Sequence, residues 1–231
     1  MQEQSEHTEK LNKAEKILGH EFSDRSLLLT ALTHPSAAEG HSISDSYERL
    51  EFLGDAVLEL VSSEQIYKDN PTKPEGDMTR MRASWVCEPT LALCARDIDL
   101  GEYVMLGRGE DLTGGRERDS ILSDTLEATI GAVYLDGGFE KAKEYIDRHI
   151  LKDIENKKLF YDSKTILQEI VQGEHLEMEY ELLKEEGPDH NKSFTVAVNI
   201  NGERLTTATG RTKKKAEQSA AYQAILKFHK S

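Results

Sequence analysis

The stretch from Tyr47 to Val61 limits this chain more than any other. Leu50, Leu53, Val57, Leu60 and Val61 recur at helical spacing, which predicts a helix with one buried face. At about 100° per residue, Glu51, Asp55, Glu48 and Glu59 then fall in one acidic stripe beside the apolar one. Like charges one turn apart repel by a few tenths of a kcal/mol even in water. Beside a core the repulsion grows, or a carboxyl takes up a proton. The stripe is either a solvated face or a set of oxygen ligands for a divalent cation. No basic residue stands at i+4 from these acids, so it is not the usual exchange of Glu with Lys. Phe52 lies outside both stripes, and so large an aromatic there suggests a second covered surface, such as a subunit interface.

A second helix, over Asp119–Leu135, is apolar almost all round and must be buried. Asp124 and Glu127 share one of its faces and need partners there. They could form a capping box, but Asp119 or Ser120 starts the helix better. Gly137-Gly138 should end it, with a further amphipathic helix over 139–151.

The rest of the first part also reads as helix. Leu11, Ala14 and Leu18 share a face, and Asp24 can cap a run carrying Leu27, Leu28, Ala31 and Leu32 that His34-Pro35 ends. His34 reads as structural. Asp77 is a plausible N-cap after Pro74, and Glu75 an ordinary turn acid. Trp85, Val86, Leu91 and Leu93 read as core or interface. Four glycines in 107–118 predict a flexible loop whose Arg108, Arg116 and Arg118 could meet backbone phosphates or simply be solvated. It lacks the Gly-Lys-Ser/Thr of a nucleotide-binding loop, so no nucleotide cofactor is expected.

From residue 162 the rhythm changes. Ile166, Leu167, Ile170 and Val171 form one face of a short helix, and Thr165, Gln168, Glu169 and Gln172 the other. Met178, Tyr180 and Leu182 alternate as a strand, and so do Phe194, Val196, Val198 and Ile200. Asn201-Gly202 is a hairpin turn into a third strand. A last helix starts near Lys213 and packs Ala216, Ala220, Ala224 and Ile225. Lys213 and Lys214 stand where free N–H groups and the helix dipole favour phosphate.

Two resemblances follow. Glu48-Arg49-Leu50-Glu51-Phe52-Leu53-Gly54-Asp55-Ala56-Val57-Leu58 resembles the signature of the bacterial ribonuclease III family, and Asp124 with Glu127 matches its second acidic pair. The C-terminal α-β-β-β-α order, with Gly187-Pro188-Asp189-His190 and Lys213-Lys214, resembles a double-stranded-RNA-binding domain. Together they imply an α+β chain: an all-α endonuclease domain over 1–157 and an RNA-binding domain over 162–231. The implied protein is a homodimer that cleaves double-stranded RNA with Mg²⁺, or Mn²⁺ in its place, leaving 5′-phosphate and 3′-hydroxyl ends. Glu51, Asp124 and Glu127 carry over as metal ligands, Asp55 and Glu127 as the residues nearest the chemistry, and Glu48 as support. Glu75 carries over as pointing toward the partner's cleft. Thr165, Gln168, Glu169, Gln172, Pro188, His190, Lys213 and Lys214 carry over to RNA. Ribosomal, and some messenger and transfer RNA precursors, are the implied substrates. Many domains of this kind have a lysine where Glu217 stands, which implies weaker phosphate affinity here. The other reading is an RNA-binding adaptor whose nuclease-like domain only dimerises, yet every carboxylate is present.

Charge is unevenly spread. Residues 161–231 carry ten Lys/Arg and eleven Asp/Glu, against 29 and 43 in the whole chain, so nearly all of the −14 lies in residues 1–160 with the acidic stripes. No apolar run is long enough for a membrane span, and no export signal opens the chain. With only Cys87 and Cys94, spaced unlike a zinc site, a reduced cytoplasmic protein is expected.

Overall fold

A computed structural model describes residues 2–38, 46–154, 159–160, 162–187 and 192–228. The chain divides into two compact units, the first ending at Ile154, which is still part of the first core, and the second beginning at Glu155.

The first unit is helical: α1 (Gln2–Leu18), α2 (Arg25–Ala31), α3 (Glu48–Asp69), α4 (Glu75–Trp85), α5 (Glu88–Asp97), α6 (Arg108–Leu112) and α7 (Asp119–Ile146). Asp24 caps α2 by accepting from the Ser26 N–H at 2.9 Å. Buried Asp136, far along α7, accepts from the Ser23 and Asp24 N–H groups and pairs with His20, which fastens the α1–α2 turn to α7. Helix α7 is interrupted at Gly138, whose φ of 78° lies in the left-handed region that glycine adopts readily, and it runs on into a π-helical turn, Asp147–Leu151. The core joins Leu28 of α2 and its C-cap Leu32, Leu58 and Ile66 of α3, Leu91 of α5, and Leu122, Leu126 and Ile130 of α7.

Several expectations are corrected. The buried arc of α3 is rotated toward the acids: Leu50, Gly54, Val57, Leu58, Val61 and Ser62 are buried, whereas Leu60 is 57% exposed. Gly54, Leu58 and Ser62 therefore flank the acidic stripe on the inside. Pro74, not Asp77, caps α4, since its extended backbone precedes Glu75 and its carbonyl accepts the Asp77 N–H. Asp77 lies in the first turn and pairs with Arg80. The glycine-rich 107–118 segment is ordered into α6 and a 3₁₀ turn, Gly115–Glu117.

The second unit has α8 (Ser163–Gly173), the antiparallel sheet β1 (Met178–Glu186), β2 (Ser193–Ile200), β3 (Glu203–Gly210) in that order, and α9 (Lys213–Phe228). Leu167 and Val171 of α8 meet Val198, Ala208 and the Ala220, Ala221, Ala224, Ile225 face of α9 in one core. Asn201 and Gly202 both have left-handed φ (50° and 79°), as a type I′ hairpin requires. The alternation in β1 fails at Leu182, which is 41% exposed, because the β1–β2 register slips between Leu182 and Lys184.

Candidate active site

Helices α3 and α7 touch backbone to backbone. A Cβ on Gly54 would lie 1.8 Å from the Glu127 carbonyl oxygen, and one on Gly131 would lie 2.2 Å from that of Leu50. Only glycine allows so close a crossing. Glu51 and Asp55 are within one turn of Gly54, and Asp124 and Glu127 lie just before Gly131, so the crossing brings both acidic pairs to one place.

One oxygen each from Glu51, Asp124 and Glu127 lies within 4.8 Å of the others. All three are half-buried, and the cost is visible in their acidity. Burial first, then Asp124, Glu48 and Asp55, push Glu51 up to about 7. Burial, then Asp55, Glu51 and Asp124, push Glu127 up to about 8. Burial raises Asp124 too, opposed by hydrogen bonds from Ser123 and Tyr47. Asp55, on the open side, is raised by burial and then by Glu59. Asp124 is well inside α7, which starts at Asp119, so the capping-box alternative is excluded.

Glu48 is at the exposed rim, where its Oε2 accepts from Ser46 Oγ at 3.1 Å. Tyr47 is a site residue the sequence did not single out. Its buried ring lies edge-on to His34, with centroids 5.6 Å apart, and its hydroxyl donates to Asp124 at 3.4 Å. The available signal was a large aromatic immediately before an acidic helix start. His34 is structural, as expected: Nδ1 accepts the Ser36 N–H and caps a 3₁₀ turn.

The other predicted residues are dispersed. Glu75 is exposed at the start of α4, where its carboxylate accepts from Thr79 Oγ1, outside its own chain's carboxylate cluster. Arg116 is withdrawn from the expected phosphate contacts. Its guanidinium donates to Asp111 and to the carbonyls of Gly101 and Val104, the last at 2.6 Å, and so braces the loop. Arg118 pairs with Glu110 at 2.5 Å. Arg108 is exposed and has no ion pair among the described residues. Phe52 is 81% exposed, with Leu60 and Tyr67 also exposed on α3. Beside them is a groove of about 460 Å³ lined by Leu60, Tyr67, Met78 and Arg82. In the second unit Thr165, Gln168, Glu169 and Gln172 are exposed on α8, and Lys213 and Lys214 at the start of α9. Pro188 and His190 lie outside the described residues.

The pH dependence follows from the raised carboxyls. The folded chain holds protons at Glu51 and Glu127 that the unfolded chain releases near pH 4.5. Without metal, stability should therefore fall as pH rises from about 5 to about 8. Mg²⁺ should raise the melting temperature more at the alkaline end, because binding requires the ionised carboxylates. Thermal melts with EDTA and with Mg²⁺ across this range check both signs.

A helical domain presenting a carboxylate cluster that could hold a metal, followed by an α-β-β-β-α domain with exposed lysines at a helix start, fits a class of enzymes acting on nucleic acid. Residues 24–154 match the family model described as Ribonuclease-III-like, and residues 163–228 match the double-stranded RNA binding motif. The "Ribonuclease 3" of Caldanaerobacter subterraneus subsp. tengcongensis is 47% identical over 223 residues, covering 94% of this chain and 98% of that protein. That of Natranaerobius thermophilus is 48% identical over 214 residues, covering 90% and 93%. The nuclease domain of the Campylobacter jejuni enzyme, whose structure concerns a region involved in dimer formation, superposes with a TM-score of 0.57 at 44% identity, covering 61% of this chain and 95% of that one. This chain belongs to the ribonuclease III family. It is an endoribonuclease for double-stranded RNA.

Proposed function

We propose that two copies of this chain cleave duplex RNA with Mg²⁺, or with Mn²⁺ as a substitute, held by Glu51, Asp124 and Glu127. The observation that carries the reading is the approach of three carboxylate oxygens, from two helices, to within 4.8 Å. An all-oxygen donor set suits a hard divalent cation, and the raised pKa values of Glu51 and Glu127 record burial first and then mutual repulsion, both of which such a cation would offset. When bound, the metal supplies Lewis acidity for the attacking water and offsets charge on the phosphate. Tyr47 steadies the Asp124 carboxylate. Asp55, on the open side beside Glu127, accepts a hydrogen bond from the attacking water and takes its proton. Glu48 supports the fold at the rim, where it accepts from Ser46.

Phe52 is proposed to cross the subunit interface, with the neighbouring groove along Leu60 and Tyr67 as its receptor on the partner. Such a two-fold contact buries both patches at once. Glu75 is proposed to face the partner's cleft. Each of two clusters would cut one strand, leaving a 5′ phosphate, a 3′ hydroxyl and a short 3′ overhang. Thr165, Gln168, Glu169 and Gln172 are proposed to meet the minor groove, with Pro188 and His190, while Lys213 and Lys214 meet phosphate. The substrates proposed are ribosomal RNA precursors and some messenger and transfer RNA precursors. The cytoplasm is the compartment proposed, in keeping with Cys87 and Cys94 as thiols. No described helix is long and apolar enough to cross a membrane.

Duplex RNA incubated with the protein in Mg²⁺ should yield fragments with 5′ phosphates, and none in EDTA. Intact RNA with normal binding would favour the adaptor reading, and 2′,3′-cyclic phosphate ends would exclude metal-assisted hydrolysis. Phe52→Asp should weaken the dimer by about tenfold or more, since it buries an uncompensated charge in an apolar contact. Sedimentation would read this as monomer at concentrations where wild type is dimeric.

A further inference from the structure

The start of α8 is clasped to α9 through two neighbouring residues. Ser163 Oγ, fully buried, donates to the Gln218 carbonyl at 2.8 Å. Next to it, Lys164 Nζ meets Glu217 Oε2 at 2.5 Å and stands 5.0 Å above the Tyr180 ring. The Glu217 side chain is only 14% exposed. Its charge is felt inward: burial, then Glu217, push the Tyr180 hydroxyl up to about 12.

This pairing is not the one α9 alone would select. Glu217 follows Lys213 by four residues and Lys214 by three, the spacings at which helical side chains meet. Yet neither lysine has an ion pair among the described residues, and both are exposed. Lys164 has taken the carboxylate instead. Without it, Glu217 would be a half-buried anion lacking a cation, and the nearest replacements are the two lysines at the helix start. Each lysine drawn to Glu217 would be lost to phosphate, and the residual negative charge would face the same backbone.

We propose that Lys164 is a positioning residue for RNA binding: by holding Glu217 it keeps Lys213 and Lys214 available to phosphate. The inference rests on the proposed role of those two lysines. Three features make it specific. The clasp joins the two elements assigned to RNA, α8 and the start of α9. The acid is shielded rather than solvated. The lysine that neutralises it comes from the other helix.

The test uses the full chain in EDTA, where RNA is bound but not cut, and a short duplex RNA titrated at several salt concentrations. Lys164→Met should weaken binding by about fivefold and flatten the salt dependence by about one counterion. Glu217→Gln alone should bind as well as wild type or more tightly. The double variant Lys164→Met/Glu217→Gln should recover wild-type affinity, because no acid remains to compete. A direct contact of Lys164 with RNA predicts the opposite, since Glu217→Gln would then leave the Lys164→Met defect in place. That result, or unchanged binding by Lys164→Met, overturns the proposal. Melting temperatures of all three variants identify any loss that is merely unfolding, and recovery in the double variant cannot arise that way. The Lys213→Ala/Lys214→Ala variant is the separate arm. If it binds like wild type, the lysines do not meet phosphate and both readings fall. If it binds weakly while the double variant stays defective, only the role of Lys164 is lost.

Discussion

Glu127→Gln is expected to lower cleavage of duplex RNA in Mg²⁺ by about a thousandfold or more, some 4 kcal/mol of transition-state stabilisation, while leaving RNA binding close to wild type. Glutamine keeps the shape of the side chain and removes its charge. Glu127 is raised to about 8 by burial and then by Asp55, Glu51 and Asp124, so near neutral pH a cation would be needed to hold it mostly ionised. The substitution should therefore also stabilise the metal-free protein, most clearly near pH 8, where wild type has begun to ionise. Loss of activity coupled to a gain in stability is the mark of a site that is strained without its ligand. Unaltered cleavage kinetics, or a fall in melting temperature matching the fall in activity, would place Glu127 outside the chemistry. RNA binding should survive because the second unit folds around its own core of Leu167, Val171, Val198 and the α9 alanines.

Gly54→Ala should be as damaging to the fold as Glu127→Gln is to the reaction. Alanine is favoured over glycine in a helix by about 1 kcal/mol, so an unobstructed position would gain stability. Here the new methyl would lie 1.8 Å from the Glu127 carbonyl oxygen and 2.7 Å from its carbon, and backbone cannot rotate away as a side chain can. The helices must separate, at a net cost of about 3 kcal/mol or more. Urea unfolding should show a lower midpoint with an unchanged slope. Because the Glu127 backbone is the group displaced, activity should fall further than stability accounts for. Gly131→Ala should act similarly through Leu50, whereas Gly76→Ala, with nothing within 4 Å of the new methyl, serves as the harmless control.

These two substitutions mark what was legible in the sequence. The meeting of Glu51, Asp124 and Glu127 was legible because two acids in the nearly all-apolar α7 need partners and α3 offers an acidic stripe with no basic residue at i+4. Helix α9 was readable from Ala216, Ala220, Ala224 and Ile225, all fully buried. What escaped depends on a partner far along the chain. Leu60 fits the apolar stripe of α3 as well as Leu58 does in type, but the glycine crossing turns the helix so that Leu58 is buried and Leu60 is not. Arg116 looks like a phosphate contact in a glycine-rich loop until the carbonyls of Gly101 and Val104 are seen to receive it. The Tyr47 hydroxyl matters only because α7 brings Asp124 to it, 77 residues away. Gly54 and Gly131 passed unremarked in the sequence, although a mid-helix glycine costs stability and so asks for a reason. The crossing supplies that reason.

The most direct test of the assembled site needs no RNA. Mn²⁺ titrated into the protein and followed by electron paramagnetic resonance reports the free ion and hence the bound fraction. Wild type should bind Mn²⁺ with release of protons near pH 7, Phe52→Asp should bind it similarly, and Glu51→Gln, Asp124→Asn and Glu127→Gln should each lose most of the affinity. Mn²⁺ affinity unaffected by all three of these carboxylate substitutions would contradict the claim that α3 and α7 cross in order to build a metal site.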